Sequence, residues 1–410
     1  LYAMHWPFRQ FETSRGIRKS AFYEQTKALG ACFGEVAGFE RPNWYAPKGV
    51  KPVYEYSYGR QNWFEYCGDE CRNVRTNVGF FDQSSFAKFL VTGKDAEREL
   101  QRISCADVSR QGRATYTQWL NKKGRIEADL TVTKLADERF LVVTAVATAV
   151  RDWHYMKSNF TTGADVKMED MSNVYSVLGV MGPNSRKLLS KLTSADLSNE
   201  AYPFGTAKEI EFGWTKALAL RISYVGELGW EIYLPADYAP GALDLLLEAG
   251  KEIGLKPAGM HAMNFLRLEK AYRHWGHDIS PDDTPHESGL AFICAMDKAV
   301  PFIGREAVAA EKGKTPTKRL VQFLLQDPQP LLYHNEPIFM NGRNVGYITS
   351  AGHSFTLNGA IGMGYVKHAE GIDQALIGGA SFEIEVADQK VPARASLRPF
   401  YDPKGERLKM

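Results

Sequence analysis

Residues 126–133, Ile-Glu-Ala-Asp-Leu-Thr-Val-Thr, alternate apolar and polar side chains without a break. A period of two marks a strand with one buried face, and it dictates which residues share that face. Ile126, Ala128, Leu130 and Val132 point one way, and Glu127, Asp129, Thr131 and Thr133 the other. Asn-Lys-Lys-Gly (121–124) precedes them and Ala-Thr-Tyr-Thr-Gln-Trp-Leu (114–120) comes before that, so the stretch predicts an antiparallel hairpin. With 121–124 as the loop, Leu120 pairs with Arg125 and Tyr116 lies opposite Asp129. A second stretch, SYVGELGWEIY (223–233), predicts the same arrangement. With 226–229 as its loop, Val225 pairs with Trp230 and Tyr224 lies opposite Glu231.

The second hairpin poses a chemical question. Trp230 and Ile232 share one face, while Tyr224 and Tyr233 share the other with Glu231. A solvated face does not need two large aromatics. An acid among aromatic rings suits a pocket for a flat heterocycle with N–H donors. A carboxylate accepts two parallel N–H bonds from such an edge, and tyrosine rings supply stacking walls.

Around these hairpins the chain changes character twice. Residues 1–75 are rich in Trp, Tyr, Phe, Gly and Pro with poor periodicity, and read as an extended N-terminal arm or linker with a helix near 16–29. Residues 76–318 read as strands and helices in regular succession, with helices predicted over 96–103, 147–160, from Pro183 to 192, 240–253 (stopped by Gly254) and 258–273. FLVTGKDAERELQRI and SVLGVMGPNSRKLLSKL share one outline of strand, glycine and helix, which suggests an internal duplication. Residues 319–410 read as an all-β domain, with turns at Asn341-Gly342 and at Ala387 to Lys390. The fold class expected is therefore α+β, antiparallel sheets with helices followed by a barrel-like β domain.

Composition excludes several functions. Fifty basic against 48 acidic residues give a net charge of +2, which offers no electrostatic case for nucleic acid or an anionic membrane. No apolar run is long enough to span a bilayer. Five sparse cysteines, Cys67 and Cys71 among them, predict free thiols in a reducing compartment, a cytoplasm or a mitochondrial matrix. His274 and His277 have a spacing that could ligate a metal, but no metal is expected there, and His353 reads as a loop residue. The opening at Leu1 reads as a piece cut from a longer chain, or equally as a chain whose leader is disordered or removed.

The motifs YVGELGWEIYLP (224–235), NKKGRIEADLTVT (121–133), FFDQSSFAKFLVTGKDA (80–96), LGVMGPNSRKLL (178–189), FLRLEKAYRHWGHD (265–278), TPHESGL (284–290), FIGREA (302–307) and VGYITSAGHSFTLNGAIGMGYV (345–366) run in order across nearly all of 76–400. Together they resemble the aminomethyltransferase family, the T-protein of glycine cleavage and its relatives. LYAMHWPFRQFETSRGIR and GACFGEVAGFERPNWYAP further resemble the junction after the flavin domain of dimethylglycine and sarcosine dehydrogenases. The resemblance implies three domains arranged like a clover leaf around a central tetrahydrofolate cavity. It implies Asp129 as the catalytic aspartate, a proton acceptor, Glu231 as the pterin reader, Tyr116, Tyr224 and Phe86 as further cofactor contacts, and Arg398, with Tyr401, as residues approaching the cavity. Met263 stands where the glycine-cleavage enzyme carries arginine, which favours the dehydrogenase-like branch. Arg267 and Glu269 are expected to tie their helix to the core.

The function so implied is capture of the carbon released by oxidative N-demethylation as 5,10-methylenetetrahydrofolate. A flavin dehydrogenase domain, with its FAD, is expected in cis or as a partner, and a small methylated amine as the source. A stand-alone demethylase of a methylated sulfonium or ether, or a non-catalytic folate-binding module, are the alternatives.

Overall fold

The structure is a computed structural model that describes residues 4–410. The aromatic-rich N-terminal stretch carries more regular structure than its periodicity suggests. The predicted helix near 16–29 shortens to α1 (Tyr23–Ala28). A hairpin follows, β1 (Ala31–Val36) and β2 (Phe39–Tyr45), turned at Ala37-Gly38 with φ of 50° and 81°. Positive φ at both central residues is what a two-residue hairpin turn requires. Residues 46–60 run without helix or strand, and α2 (Phe64–Thr76) then buries Cys67, Cys71 and Val74 in one cluster with Trp44 and Trp63. All five cysteines are buried and unpaired.

The first sheet begins the duplicated part of the fold. β3 (Gly79–Asp82), β4 (Ala87–Thr92), α3 (Ala96–Ile103), β5 (Ala114–Leu120), β6 (Ile126–Ala136), β7 (Arg139–Thr144), α4 (Ala149–Asn159) and β8 (Lys167–Asp170) follow in order. Five of these strands form an antiparallel sheet in the order β5-β6-β7-β4-β8. Ala128, Leu130 and Val132 bury as the alternation predicts, in a cluster with Leu100 and Ile103 of α3 and Met156 of α4. Each large apolar side chain so buried contributes about 1.5–3 kcal/mol.

The second sheet repeats the plan. β9 (Tyr175–Met181), α5 (Ser185–Leu189), β10 (Ala207–Phe212), β11 (Thr215–Leu220), β12 (Gly229–Pro235), α6 (Ala239–Gly250) and β13 (Lys256–Pro257) succeed one another, and the strand order is β10-β11-β12-β9-β3-β13. α5 is shorter than predicted and starts after Pro183, whereas Gly254 at φ 78° ends the turn after α6. Trp230, Ile232 and Leu234 bury against Leu188 and Leu189 of α5 and Leu243 and Leu246 of α6. In each sheet a strand leads through a glycine into a helix, and a three-strand meander returns beside that first strand. Gly93 and Gly182 hold φ of 122° and 130°, and a Cβ on either would lie within 2.4 Å of a main-chain carbonyl oxygen. The duplicated outline suggested by the sequence is thus present in the topology.

With helices on the outer faces, the inner faces meet. Ala114, Leu141 and Val143 of the first sheet pack with Val177, Leu220 and Tyr233 of the second. Asp129 shares a face with Thr131 and Thr133, whose partners Val143 and Leu141 lie in this contact. Glu231 shares a face with Tyr233, also in the contact. Both carboxylates therefore belong to the seam between the two sheets.

α7 (Met260–Glu269), α8 (Pro285–Ser288) and α9 (Arg305–Glu311) lead to the β domain: β14 (Lys318–Leu325), β15 (Pro337–Met340), β16 (Arg343–Ser354), β17 (Gly359–Lys367), α10 (Gln374–Gly379), β18 (Phe382–Val386) and β19 (Gln389–Ser396). Six strands close a barrel, β14-β17-β16-β15-β18-β19, with two-residue turns at Asn341-Gly342 and Ala387-Asp388. α7 pins the barrel to the sheets as expected for its charged residues. Arg267 bonds Asp278 at 2.7 Å and Ser350 at 3.0 Å, while Glu269 pairs with Arg75 at 2.7 Å and accepts from Ser354 at 2.7 Å. Removing one partner of such a buried pair costs about 3–5 kcal/mol.

Candidate active site

The first hairpin forms, but in another register than simple counting predicts. Asn121 closes the turn by itself: its N–H donates to Arg125 O at 2.9 Å, and its side-chain oxygen accepts from Lys123 N at 2.9 Å. Leu120 then pairs with Ile126 rather than Arg125, and a bulge follows between Trp119 and Leu120. Gln118 consequently lies opposite Asp129, and Tyr116 lies opposite Thr131. Tyr116 still reaches the acid across the diagonal. Its hydroxyl donates to Asp129 Oδ1 at 2.5 Å, and Gln118 Nε2 donates to the same oxygen at 3.3 Å. Among the described residues, Oδ2 receives no hydrogen bond. Burial pushes the Asp129 carboxyl up to about 6, against the pull of Tyr116, Gln118 and the charge of Arg273.

The second hairpin departs further from prediction. β11 and β12 do pair, but residues 221–228 form an eight-residue connection between them instead of a four-residue turn. Glu231 lies between Leu220 and Gly179, not opposite Tyr224. The cause is tertiary: Glu227 is drawn into the interior by Arg75 at 3.1 Å and Arg407 at 3.0 Å, which a tight turn would not allow. Tyr224 is thereby carried to the Asp129 side. Its hydroxyl donates to Arg273 O at 2.7 Å, and its ring stacks on Tyr272 with centroids 6.1 Å apart.

Glu231 has its own companions. Tyr233 donates to Oε2 at 2.9 Å and Gln83 Nε2 to Oε1 at 3.2 Å. Burial raises the carboxyl above its usual range, with Tyr233, Gln83 and Lys88 opposing. Among the described residues Lys88 makes no ion pair; its ammonium donates to Ser84 O and Phe86 O at 2.9 and 2.8 Å. Gln83 and Phe86 lie on the link from β3 to β4, which crosses from the second sheet to the first. Phe86 packs half-buried into the seam.

The structure thus brings together Asp129, Tyr116 and Tyr224 on one side of the seam, and Glu231 and Phe86 on the other. Arg398 does not join them: its side chain is exposed, and its backbone N–H donates to Ser396 Oγ at 3.1 Å. Tyr401 belongs instead to the Glu227 ion cluster, donating to Oε1 at 2.6 Å. His353 is a buried residue of β16 packed on Phe64 and Phe355, not a loop residue. The His274 and His277 rings lie 4.7 Å apart, and no cluster of three metal-ligating side chains occurs among the described residues. Sequence reading missed Gln118, Gln83 and Arg273. Gln118 was discoverable, since it sits two residues from Tyr116 on the same strand face; Gln83 and Arg273 lie in connections with no periodic signal.

Tetrahydrofolate, the group implied by the motifs, can be tested against this seam. Among the described residues, each Glu231 oxygen takes one protein donor and has no cation within ion-pairing distance, so each keeps an acceptor site for a neighbouring N–H. The side-chain oxygens of Gln83 and Gln118 are buried without a partner among the described residues. An amino-pyrimidinone edge at Glu231 fits this donor and acceptor set.

Known proteins identify the chain's family. The chain matches the GCVT N-terminal domain over residues 22–298 and the glycine cleavage T-protein C-terminal barrel domain over residues 318–402. It is 43% identical over 410 residues to a 4-methylaminobutanoate oxidase (formaldehyde-forming) of Paenarthrobacter nicotinovorans, covering 100% of this chain and 49% of the oxidase. It is 34% identical over 377 residues to the mitochondrial dimethylglycine dehydrogenase of Homo sapiens, covering 92% of this chain and 43% of the relative. An aminomethyltransferase of Halothermothrix orenii is 34% identical over 389 residues, with 94% of this chain and 100% of the relative covered. The crystal structure of aminomethyltransferase T of the glycine cleavage system from Bartonella henselae superposes with a TM-score of 0.78 at 26% identity, covering 95% of this chain and 99% of that one. The chain spans about half the length of the oxidase and dehydrogenase relatives. Among the described residues, no helix is long and apolar enough to cross a membrane.

Proposed function

Because the chain belongs to the glycine cleavage T-protein family of aminomethyltransferases, we propose that it binds tetrahydrofolate in the seam between its two sheets. In this reading it captures the carbon released by oxidative N-demethylation of a small methylated amine. The observation that carries the proposal is the pair of carboxylates on facing sheets, each held by a tyrosine hydroxyl and a glutamine amide, neither with an ion-pair partner among the described residues.

Bound tetrahydrofolate supplies the nucleophilic nitrogens, and the product is 5,10-methylenetetrahydrofolate. The chain's own residues do the rest. Glu231 accepts the N–H donors of the pterin edge, and Tyr233 and Gln83 hold its carboxylate in place. Phe86 and Tyr224 provide apolar and aromatic walls. Asp129 holds its free Oδ2 toward the ligand and accepts a proton; with its carboxyl near 6 it is ionised at neutral pH and still basic. Tyr116 and Gln118 fix its orientation through Oδ1. The amine-oxidising step belongs to a flavin dehydrogenase half, as a partner or in a longer chain.

The test is a calorimetric titration of the chain with tetrahydrofolate under reducing conditions, beside Glu231→Ala. One saturable site, weakened at least about tenfold in the variant by loss of charge-assisted hydrogen bonds, is the expected result. No binding by the parent chain overturns the proposal. Binding indifferent to Glu231 keeps folate but removes the pterin from this seam.

A further inference from the structure

Arg273 follows α7, within range of Asp129 and Tyr116 for its charge to act on both. Its guanidinium donates Nε and Nη2 to Ser288 O at 3.0 and 2.7 Å, and Nη1 to Ala271 O at 2.7 Å. Arg319, near the start of β14, donates Nη1 to His286 O. All these acceptors are main-chain carbonyls, which satisfy N–H groups and leave the charge whole. The nearby acids are engaged elsewhere: Asp278 pairs with Arg267 at 2.7 Å and Asp283 with Lys318 at 2.6 Å. Among the described residues, neither Arg273 nor Arg319 has a carboxylate within the 4.0 Å of an ion pair.

The two cations also converge. Nη2 of Arg273 and Nη2 of Arg319 stand 2.8 and 3.2 Å from the point where a Cβ on Gly289 would sit. Gly289, at φ 75°, ends α8, and a side chain there would collide with both guanidiniums, so the glycine is what lets them approach each other. Both side chains are partly buried, and Arg319 feels the repulsion of Arg273. Two neighbouring guanidiniums with no direct ion-pair partner among the described residues are a costly arrangement unless an anion joins them, and the planar fork of arginine matches a carboxylate.

We propose that Arg273 and Arg319 clamp a carboxylate of the ligand beside Asp129. The inference deepens the folate reading and rests on it for one of two sources of that group. The carboxylate comes from the glutamate tail of tetrahydrofolate, or from the methylated amino acid whose carbon is transferred.

Three probes separate these sources in calorimetric titrations of the parent chain, Arg273→Gln and Arg319→Gln: tetrahydrofolate, 6-methyltetrahydropterin (which has no carboxylate) and 4-methylaminobutanoate. Thermal melts verify that the variants fold, and Arg273→Lys tests whether charge alone restores binding in part. A clamp on the folate tail weakens tetrahydrofolate at least about tenfold in both glutamine variants and leaves the pterin unchanged. A clamp on the amino acid weakens 4-methylaminobutanoate by that factor and leaves both pterin compounds unchanged. Arginine-dependent binding of the amino acid by a parent chain that binds neither pterin compound keeps the clamp and removes the folate reading. Equal binding of every probe by parent and variants, or no binding of any probe by the parent, overturns the clamp.

Discussion

The two sheets hold the same triad in different settings. In the first, Tyr116 and Gln118 both bond Oδ1 of Asp129, so one oxygen is saturated and the other is left bare. In the second, Tyr233 and Gln83 bond different oxygens of Glu231, so each oxygen is half used. One bare oxygen suits a proton acceptor; two half-used oxygens suit a two-point hydrogen-bond reader. The difference arises from strand geometry. Gln118 and Tyr116 lie on one neighbouring strand and approach from one side. Tyr233 comes from the acid's own strand and Gln83 from the link beyond β3, so they approach from two sides.

The comparison breaks if the acids exchange roles. Asp129→Asn is expected to lower the folate-dependent transfer rate by about 10²–10⁴-fold while changing the tetrahydrofolate Kd by less than about threefold. Single-turnover kinetics beside calorimetry measure both; a collapse in affinity with the rate intact would reverse the assignment. Glu231→Gln is expected to do the opposite. It should raise Kd about 10–100-fold through lost charge-assisted bonds, with the rate at saturating folate nearly unchanged.

The glutamines sharpen the contrast. Gln118→Leu should lower the rate by about 3–10-fold, since Tyr116 alone then orients the acid, and Gln83→Leu should raise Kd by a similar factor. Identical effects of the two variants on both parameters would mean that the triads are not specialised.

The smallest effect is on stability. Asp129 has its carboxyl raised in the fold, so the folded state holds that proton more tightly than the unfolded chain. Its favourable contribution is full below about pH 4 and lost as pH rises through about 6. Asp129→Asn should therefore raise Tm by about 1–3 °C at pH 7.5, and the gain should vanish toward pH 4. The same titration predicts that the parent's transfer rate falls on the acid side with a midpoint near 6. A Tm gain that persists unchanged at pH 4 would rule out the raised carboxyl as its cause.

What could be read from the sequence was whatever a local period controls. The faces of β6 and β12, the turns at Asn341-Gly342 and the stop at Gly254 all follow from a few adjacent residues. Hairpin registers did not, because Asn121 closing its own turn and Glu227 answering Arg75 are decisions made by side chains, one of them far along the chain. Yet the acids came out on the correct faces, since a bulge or a longer loop moves a partner without turning the strand over. Gln83 and Arg273 stayed hidden for a related reason: each sits in a connection, where only the assembled neighbours define its place.

Glu227 carries one more consequence. Besides Arg75 it is gripped by Tyr401 at 2.6 Å and Arg407 at 3.0 Å, and Arg407 also bonds Arg75 O at 2.8 Å. The loop that presents Tyr224 is therefore closed by residues translated some 170 positions later. During synthesis both sheets can pair and bury their helices while this loop is still waiting for its last ligands. A nascent chain stalled at residue 400 should resist protease across the sheets yet be cut within 221–228, and protection should come only when the final turn emerges.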